Sequence, residues 1–135
     1  MNMVPQVKTT KHSLDRLSQI FELRREFISE LKVTIPTAMP DEIDPTSKEG
    51  QQYLRDLALH GVEEMFEALQ HLKNWKPHRK TEVSYLNREE FLEEIVDAFN
   101  YFFSLIILSG FDEEDLYDAY IKKDEIIHER IKREY

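Results

Sequence analysis

FLEEIVDAFNYFFSLIIL, residues 91–108, is the most apolar stretch of this chain, and it carries an acidic pair near its start. Glu94 and Asp97 are three residues apart, so they share one face if the stretch is helical. A carboxylate beside so much apolar surface is costly to bury unless a positive group holds it. The stretch therefore predicts a long helix with an acidic site near its beginning.

A second acidic pair lies in GVEEMFEALQ, residues 61–70, where Glu64 and Glu67 have the same spacing. Two such helices packed together would direct four carboxylates to one point, and oxygen ligands suit Mg2+, with Mn2+ as an alternative ion. Two other interpretations remain open at this point. The pairs could lie on solvated helix faces, with Glu63 as the inward residue, or Asp97 could pair with a lysine or arginine of the facing helix.

Composition excludes several classes of protein. The chain has 135 residues, 41% hydrophobic and 33% charged, which predicts one globular domain rather than a disordered chain. Its net charge of -9 argues against a general nucleic-acid binder. The absence of cysteine, of an N-terminal apolar signal and of an apolar run long enough to span a bilayer predicts a soluble, cytoplasmic protein without a membrane partner.

Apolar residues recur with helical periodicity in four segments, which predicts an all-α fold of four to five helices in a bundle. We expect a flexible tail over residues 1–12 and a single domain over residues 13–135. The prolines of residues 33–45 predict a connecting loop. The predicted helix starts are capped by Ser13, Ser47, Asn87 with Glu90, and Asp112, and the second and third helices are predicted to end near Lys73 and at Gly110.

The third helix is apolar almost all round from Phe99 onward, which predicts burial on every side. In a unit of this size such burial usually needs a second copy of the chain. We therefore expect a homodimer, or a tetramer built as a dimer of dimers.

Cationic residues accompany the carboxylates. Lys76 and Arg79 lie in the loop after the second helix, and Lys123 and Arg130 are seven residues apart on the last helix. Tyr135 follows at the end of the chain. An all-oxygen Mg2+ site beside cationic side chains suggests phosphoryl chemistry, and no glycine-rich phosphate loop is present, so metal and side chains would have to hold the phosphates.

Taken together, these residues resemble the all-α nucleoside triphosphate pyrophosphohydrolases, which include the dimeric dUTPases and the MazG-like enzymes. The resemblance runs from about Ala58 to Tyr135, and the overall character is similar to phage-encoded members, which act in the host cytoplasm. Its motifs are Glu64-x-x-Glu67, LKNWK ending at Trp75 and Lys76, Glu94-Ile95-Val96-Asp97 followed by Ala98-Phe99-Asn100-Tyr101, and Lys123-Asp124 with Glu129-Arg130 and Tyr135.

The resemblance implies a reaction and roles for these residues. The four carboxylates would bind two or three Mg2+ ions, and water would attack the α-phosphate to release pyrophosphate and a nucleoside monophosphate. Glu64 would orient the water. The phosphate contacts would come from Lys76, Arg79, Lys123, Arg130 and Tyr135.

The chain departs from the dimeric dUTPase pattern at positions that bear on which nucleobase is bound. The closing Lys-Asn-x-x-Asn motif has Asp124 and Ile127 in place of its two amides, and a histidine common after the second acidic pair is Asn100 here. The first helix of the family offers a glutamine to the base, for which Gln19 or Arg24 are the candidates, and Trp75 is a further base or sugar contact. Uracil is the first expectation for the base, with cytosine or a purine next. A non-catalytic helical dimer acting as adaptor or regulator is the alternative from another class.

Overall fold

The computed structural model describes residues 15–134, which form four α-helices and no strand. The helices are α1 (Arg16–Thr34), α2 (Lys48–Leu69), α3 (Arg88–Leu108) and α4 (Glu113–Glu134). The all-α fold class is therefore confirmed. The predicted tail, Ser13 and Tyr135 lie outside the described residues. Within residues 15–134, no helix combines the length and the apolar character that crossing a membrane requires.

Each helix starts at a side chain that accepts a hydrogen bond from the backbone N–H three residues further on, which satisfies a donor that the helix itself leaves free. Three predicted caps are confirmed, whereas α1 starts after Asp15 instead of the predicted Ser13. The four bonds run from Ser18 N to Asp15 (2.7 Å), from Gly50 N to Ser47 (3.0 Å), from Glu90 N to Asn87 (3.2 Å) and from Asp115 N to Asp112 (2.9 Å).

The second helix ends earlier than predicted, at Leu69 instead of about Lys73. The backbone N–H groups of Gln70, His71 and Leu72 each donate to the carbonyl three residues back, at 3.0–3.1 Å. This tighter turn closes the helix before Pro77 can end it. By contrast, α3 ends at Leu108 as predicted, and Gly110 adopts φ 94°, the left-handed conformation that favours glycine after a helix.

The helices belong to two compact units, one of which, Glu42–Ser109, contains α2 and α3. Leu54, Leu57, Ala68 and Ala98 are its buried apolar residues. Gly61 allows a close approach between the two helices, because a Cβ there would lie 2.9 Å from the ring of Phe102.

The burial of α3 on every side, for which a second copy of the chain was expected, is not reached within a single chain. Only Ala98 and Ser104 of α3 are buried, and Phe99 is 47% exposed. The physical reason is that α3 has one helical partner in its unit, which can cover only one face. The homodimer inferred from this helix stays a prediction.

The other unit contains α1 and α4, which a bidentate ion pair joins. The two guanidinium nitrogens of Arg25 donate to the two carboxylate oxygens of Glu113 at 2.9 and 3.0 Å. The hydrogen bond from Arg25 is the main reason why the pKa of Glu113 lies below its ordinary value. Phe21 and Ile28 of α1 are buried in addition.

Replacing Gly50 with alanine is expected to lower the free energy of unfolding by about 1–3 kcal/mol. The new Cβ would overlap the backbone carbonyl oxygen of Asp44, which belongs to the turn that positions the cap Ser47. Chemical denaturation followed by circular dichroism measures the effect. The exposed Gln52 on the same helix supplies the control, Gln52→Ala, and an equal result for both variants would contradict this account.

Replacing Arg25 with methionine is expected to destabilise the protein by about 1–2 kcal/mol at pH 7, because the carboxylate of Glu113 loses both donors. A carboxyl group whose pKa is lower in the folded state contributes stability above its unfolded pKa and loses it as the pH falls through the folded pKa. The difference from the wild type should therefore shrink below the ordinary Glu pKa of 4.5. Urea midpoints at neutral and acidic pH test this, with the exposed Arg16→Met as the control.

Candidate metal centre

The acidic pairs of α2 and α3 lie between two aromatic contacts that define how the helices face each other. The ring of His60 lies 5.6 Å from that of Tyr101, and the ring of His71 lies 6.5 Å from that of Phe91. Because His71, just beyond the end of α2, meets Phe91 near the start of α3, whereas His60 meets the later Tyr101, the helices are antiparallel. Both pairs therefore occupy the same segment of the helix pair.

The electrostatics of Glu64 show that the four carboxylates share one environment. The pKa of Glu64 is raised, first by a hydrogen bond with the Glu67 side chain, then by partial desolvation, and then by the negative charges of Glu67, Asp97 and Glu94. A hydrogen bond between two carboxyl groups requires a proton on one of them. The excess negative charge is what a bound cation would neutralise.

The side chains do not form a ready-made cage. Among residues 15–134, no three His, Asp or Glu side chains are arranged so that they could hold a metal ion. Four like charges repel one another, and this repulsion is among the causes that raise the pKa of Glu64. The donor set is nevertheless all oxygen, which suits Mg2+ chemically.

Burial distinguishes one residue of each acidic pair. Glu64 and Glu94 are half-buried, whereas Glu67 and Asp97 are exposed, as are the neighbouring Glu63 and Glu93. Glu63 contacts His60 on its own helix at 3.2 Å. The inward residue is therefore Glu64, and within the described part of the chain no lysine or arginine forms an ion pair with Asp97.

The loop after α2 contains the first group of predicted phosphate contacts. The ammonium group of Lys76 lies 5.4 Å from the centre of the Trp75 ring, and Arg79 is exposed. Both cations belong to the same unit as the carboxylates.

The other described residues that were predicted to contact the base, sugar or phosphates lie on α1, α3 and α4. Asn100 is half-buried on α3, in the unit of the carboxylates. The candidates on α1 and α4 belong to the other unit. Gln19 is half-buried, and the guanidinium of Arg24 lies 4.3 Å from the centre of the Phe27 ring. Asp124 contacts His128 at 3.3 Å, and the exposed candidates are Lys123, Ile127 and Arg130.

A cleft beside the carboxylates was not predicted. It has a volume of about 400 Å³ and is lined by residues 71–75 and 83–86, including Trp75 and Tyr85. Tyr85 was not among the candidates, although an aromatic residue in a loop outside the helical periodicity is a signal that the sequence does contain.

Comparison with known proteins gives one match. A family model described as dUTPase matches residues 85–135, which include Glu94, Asp97, Lys123, Arg130 and Tyr135. No curated protein matches the chain, and no solved structure does. The first acidic pair and Trp75 lie outside the matched residues.

Proposed function

We propose that this chain is a Mg2+-dependent (deoxy)nucleoside triphosphate diphosphatase, and the dUTPase family match over residues 85–135 supports this proposal. Its products would be a nucleoside monophosphate and pyrophosphate. We propose dUTP as the first substrate, with dCTP or (d)GTP as alternatives, and the cytoplasm as its location.

The observation that supports this proposal is the clustering of Glu64, Glu67, Glu94 and Asp97. Three of these carboxylates act on the pKa of the fourth, so Mg2+ ions bound at this segment of the helix pair could draw their ligands from all four. A triphosphate carries several negative charges, and it could not approach such a cluster without cations. Mg2+ bound there would neutralise charge that develops on the phosphate oxygens.

The proposed reaction is a hydrolysis in which each group of residues has a role. The oxygen of water would bond to the α-phosphorus, the bond from that phosphorus to the oxygen bridging the β-phosphate would break, and pyrophosphate would leave. Glu64 would orient the water and accept its proton. Lys76 and Arg79, from the adjoining loop, would contact phosphate oxygens. The same role for Lys123, Arg130 and Tyr135 rests on the resemblance alone.

The exposed apolar surface of α3 supports assembly. Phe99, Val96 and Leu92 are all substantially exposed along one helix, and burying them against a second copy would be favourable. The same surface favours the second candidate, a non-catalytic helical dimer that acts as an adaptor or regulator.

Pyrophosphate release separates these candidates. The protein is incubated with Mg2+ and each dNTP in turn, and pyrophosphate and orthophosphate are measured separately. Metal-dependent pyrophosphate release with one preferred base supports the diphosphatase. No turnover with any nucleotide, together with no stabilisation of the fold by Mg2+, would reject the diphosphatase and support the non-catalytic adaptor or regulator. Orthophosphate as the product would mean that a different phosphorus is attacked.

A further inference from the structure

The cleft lined by residues 71–75 and 83–86 exposes two large aromatic side chains. Trp75 is 67% exposed and Tyr85 is 72% exposed, and both line the cleft. An aromatic side chain presents a flat apolar face on which another ring can stack. Two of them in one cleft favour a planar aromatic ligand.

A hydrogen bond joins the two chain segments that form this cleft. The side-chain amide of Asn74 donates to a carboxylate oxygen of Glu82 at 2.8 Å. Asn74 is the neighbour of Trp75, and Glu82 precedes Val83, at the start of the second segment. The bond therefore restrains the two walls relative to each other.

The charge around the cleft suits an anion. Residues 68–81 contain no acidic residue, and the next one, Glu82, already accepts the hydrogen bond from Asn74, although the whole chain has a net charge of -9. The cations in this interval are Lys73, Lys76, Arg79 and Lys80. A ligand that is both aromatic and anionic matches this combination, as a nucleotide does.

The cleft also lies within reach of the carboxylates. His71, in its wall, is two residues beyond the end of α2, and Leu86 is two residues before the start of α3. At the helical rise of about 1.5 Å per residue, Glu67 lies about 3 Å from the end of α2 and Glu94 about 9 Å from the start of α3. A nucleotide with its phosphates at the carboxylates could place its base in the cleft.

We propose that the nucleobase of the substrate binds in this cleft against Tyr85, and that Glu82 is a positioning residue that acts through Asn74. The proposal rests on the proposed function. Trp75 is already a candidate base contact, whereas Tyr85, Asn74 and Glu82 are new.

Fluorescence tests the role of Tyr85 directly, because Trp75 is the sole tryptophan of the chain. The protein is titrated with dUMP, dTMP, dCMP, dAMP and dGMP in the presence of EDTA, so that metal does not contribute. At least one monophosphate should quench Trp75 saturably. Tyr85→Ala should raise its Kd by about 5- to 100-fold, the effect of losing one stacking contact, whereas Tyr85→Phe should keep the affinity within about threefold.

The role of Glu82 is tested by rescue. Glu82→Ala should raise the Kd of the same monophosphate, and the KM of the dNTP, by about two- to fivefold with little change in kcat, because one hydrogen bond is lost. Glu82→Gln should restore both values, since its amide oxygen can still accept from Asn74. The exposed Glu89→Ala is the matched control and should change neither.

The outcomes distinguish this proposal from the proposed function. Saturable quenching that Tyr85→Ala weakens supports the cleft even if the protein releases no pyrophosphate, in which case the proposed function fails alone. Turnover without saturable quenching, or with the same Kd in Tyr85→Ala as in the wild type, rejects the cleft and leaves the proposed function intact. Equal effects of Glu82→Ala and Glu82→Gln would reject the positioning role.

Discussion

Asp97→Asn is expected to reduce Mg2+-dependent pyrophosphate release by more than about 100-fold. The substitution keeps the size of the side chain but removes one negative charge from the carboxylate cluster, and metal ions at phosphoryl centres supply several kcal/mol of transition-state stabilisation. The rate at saturating dNTP, measured over a range of Mg2+ concentrations, tests this. A partial recovery at high Mg2+ would identify weaker metal binding as the cause.

The matched control for this variant is Glu93→Gln, which neutralises an exposed acidic residue on the same helix. It should leave the rate within about twofold, since Glu93 is exposed and is not among the residues that raise the pKa of Glu64. Turnover that survives Asp97→Asn unchanged would place the metal site elsewhere. Loss of turnover in both variants would indicate a general effect of charge on α3.

Glu64→Gln is expected to abolish turnover and, in the absence of metal, to raise the melting temperature. The pKa of Glu64 is higher in the fold than its ordinary value, so the ionised form is disfavoured there and stability falls as the pH rises through that pKa. Glutamine carries no charge and can still donate to Glu67. Thermal denaturation in EDTA and the pyrophosphate assay measure the two effects on one protein.

Glu63→Gln provides the comparison, because Glu63 is exposed and contacts His60 rather than the cluster. We expect it to retain turnover within about twofold and not to raise the melting temperature. Added Mg2+ should stabilise the wild type and Glu63→Gln more than Glu64→Gln, since a ligand stabilises the state that binds it. A melting temperature that falls in metal-free Glu64→Gln would contradict the repulsion inferred for the cluster.

The helix starts could be predicted because their causes are local. Ser47, Asn87 and Asp112 each bond to a backbone group three residues away. Such a bond depends on little beyond one turn of chain. Gly110 was equally predictable, since the position after a helix end favours a residue that tolerates positive φ.

The end of α2 was predicted wrongly because the apolar pattern continues past the end of the helix. Leu72 extends the apolar periodicity of α2, yet the chain has already tightened after Leu69. The apolar character of α3 predicted burial on every side with the help of a second copy, and a pattern of side chains does not specify which neighbour covers each face. Both depend on what packs nearby rather than on propensity.

The sequence by itself determined that Glu64 and Glu67 share one helix face and that Glu94 and Asp97 share another, because helical spacing alone decides this. It also determined the cationic loop around Trp75. Only the tertiary structure decided that the two acidic pairs lie in the same segment of an antiparallel helix pair, and that Glu64 rather than Glu63 joins the cluster. It also decided that a cleft lies next to this acidic cluster. The reason is physical: the register of α2 against α3 is set by side-chain packing between residues far apart in the chain, as of Gly61 against Phe102, and no local pattern encodes it.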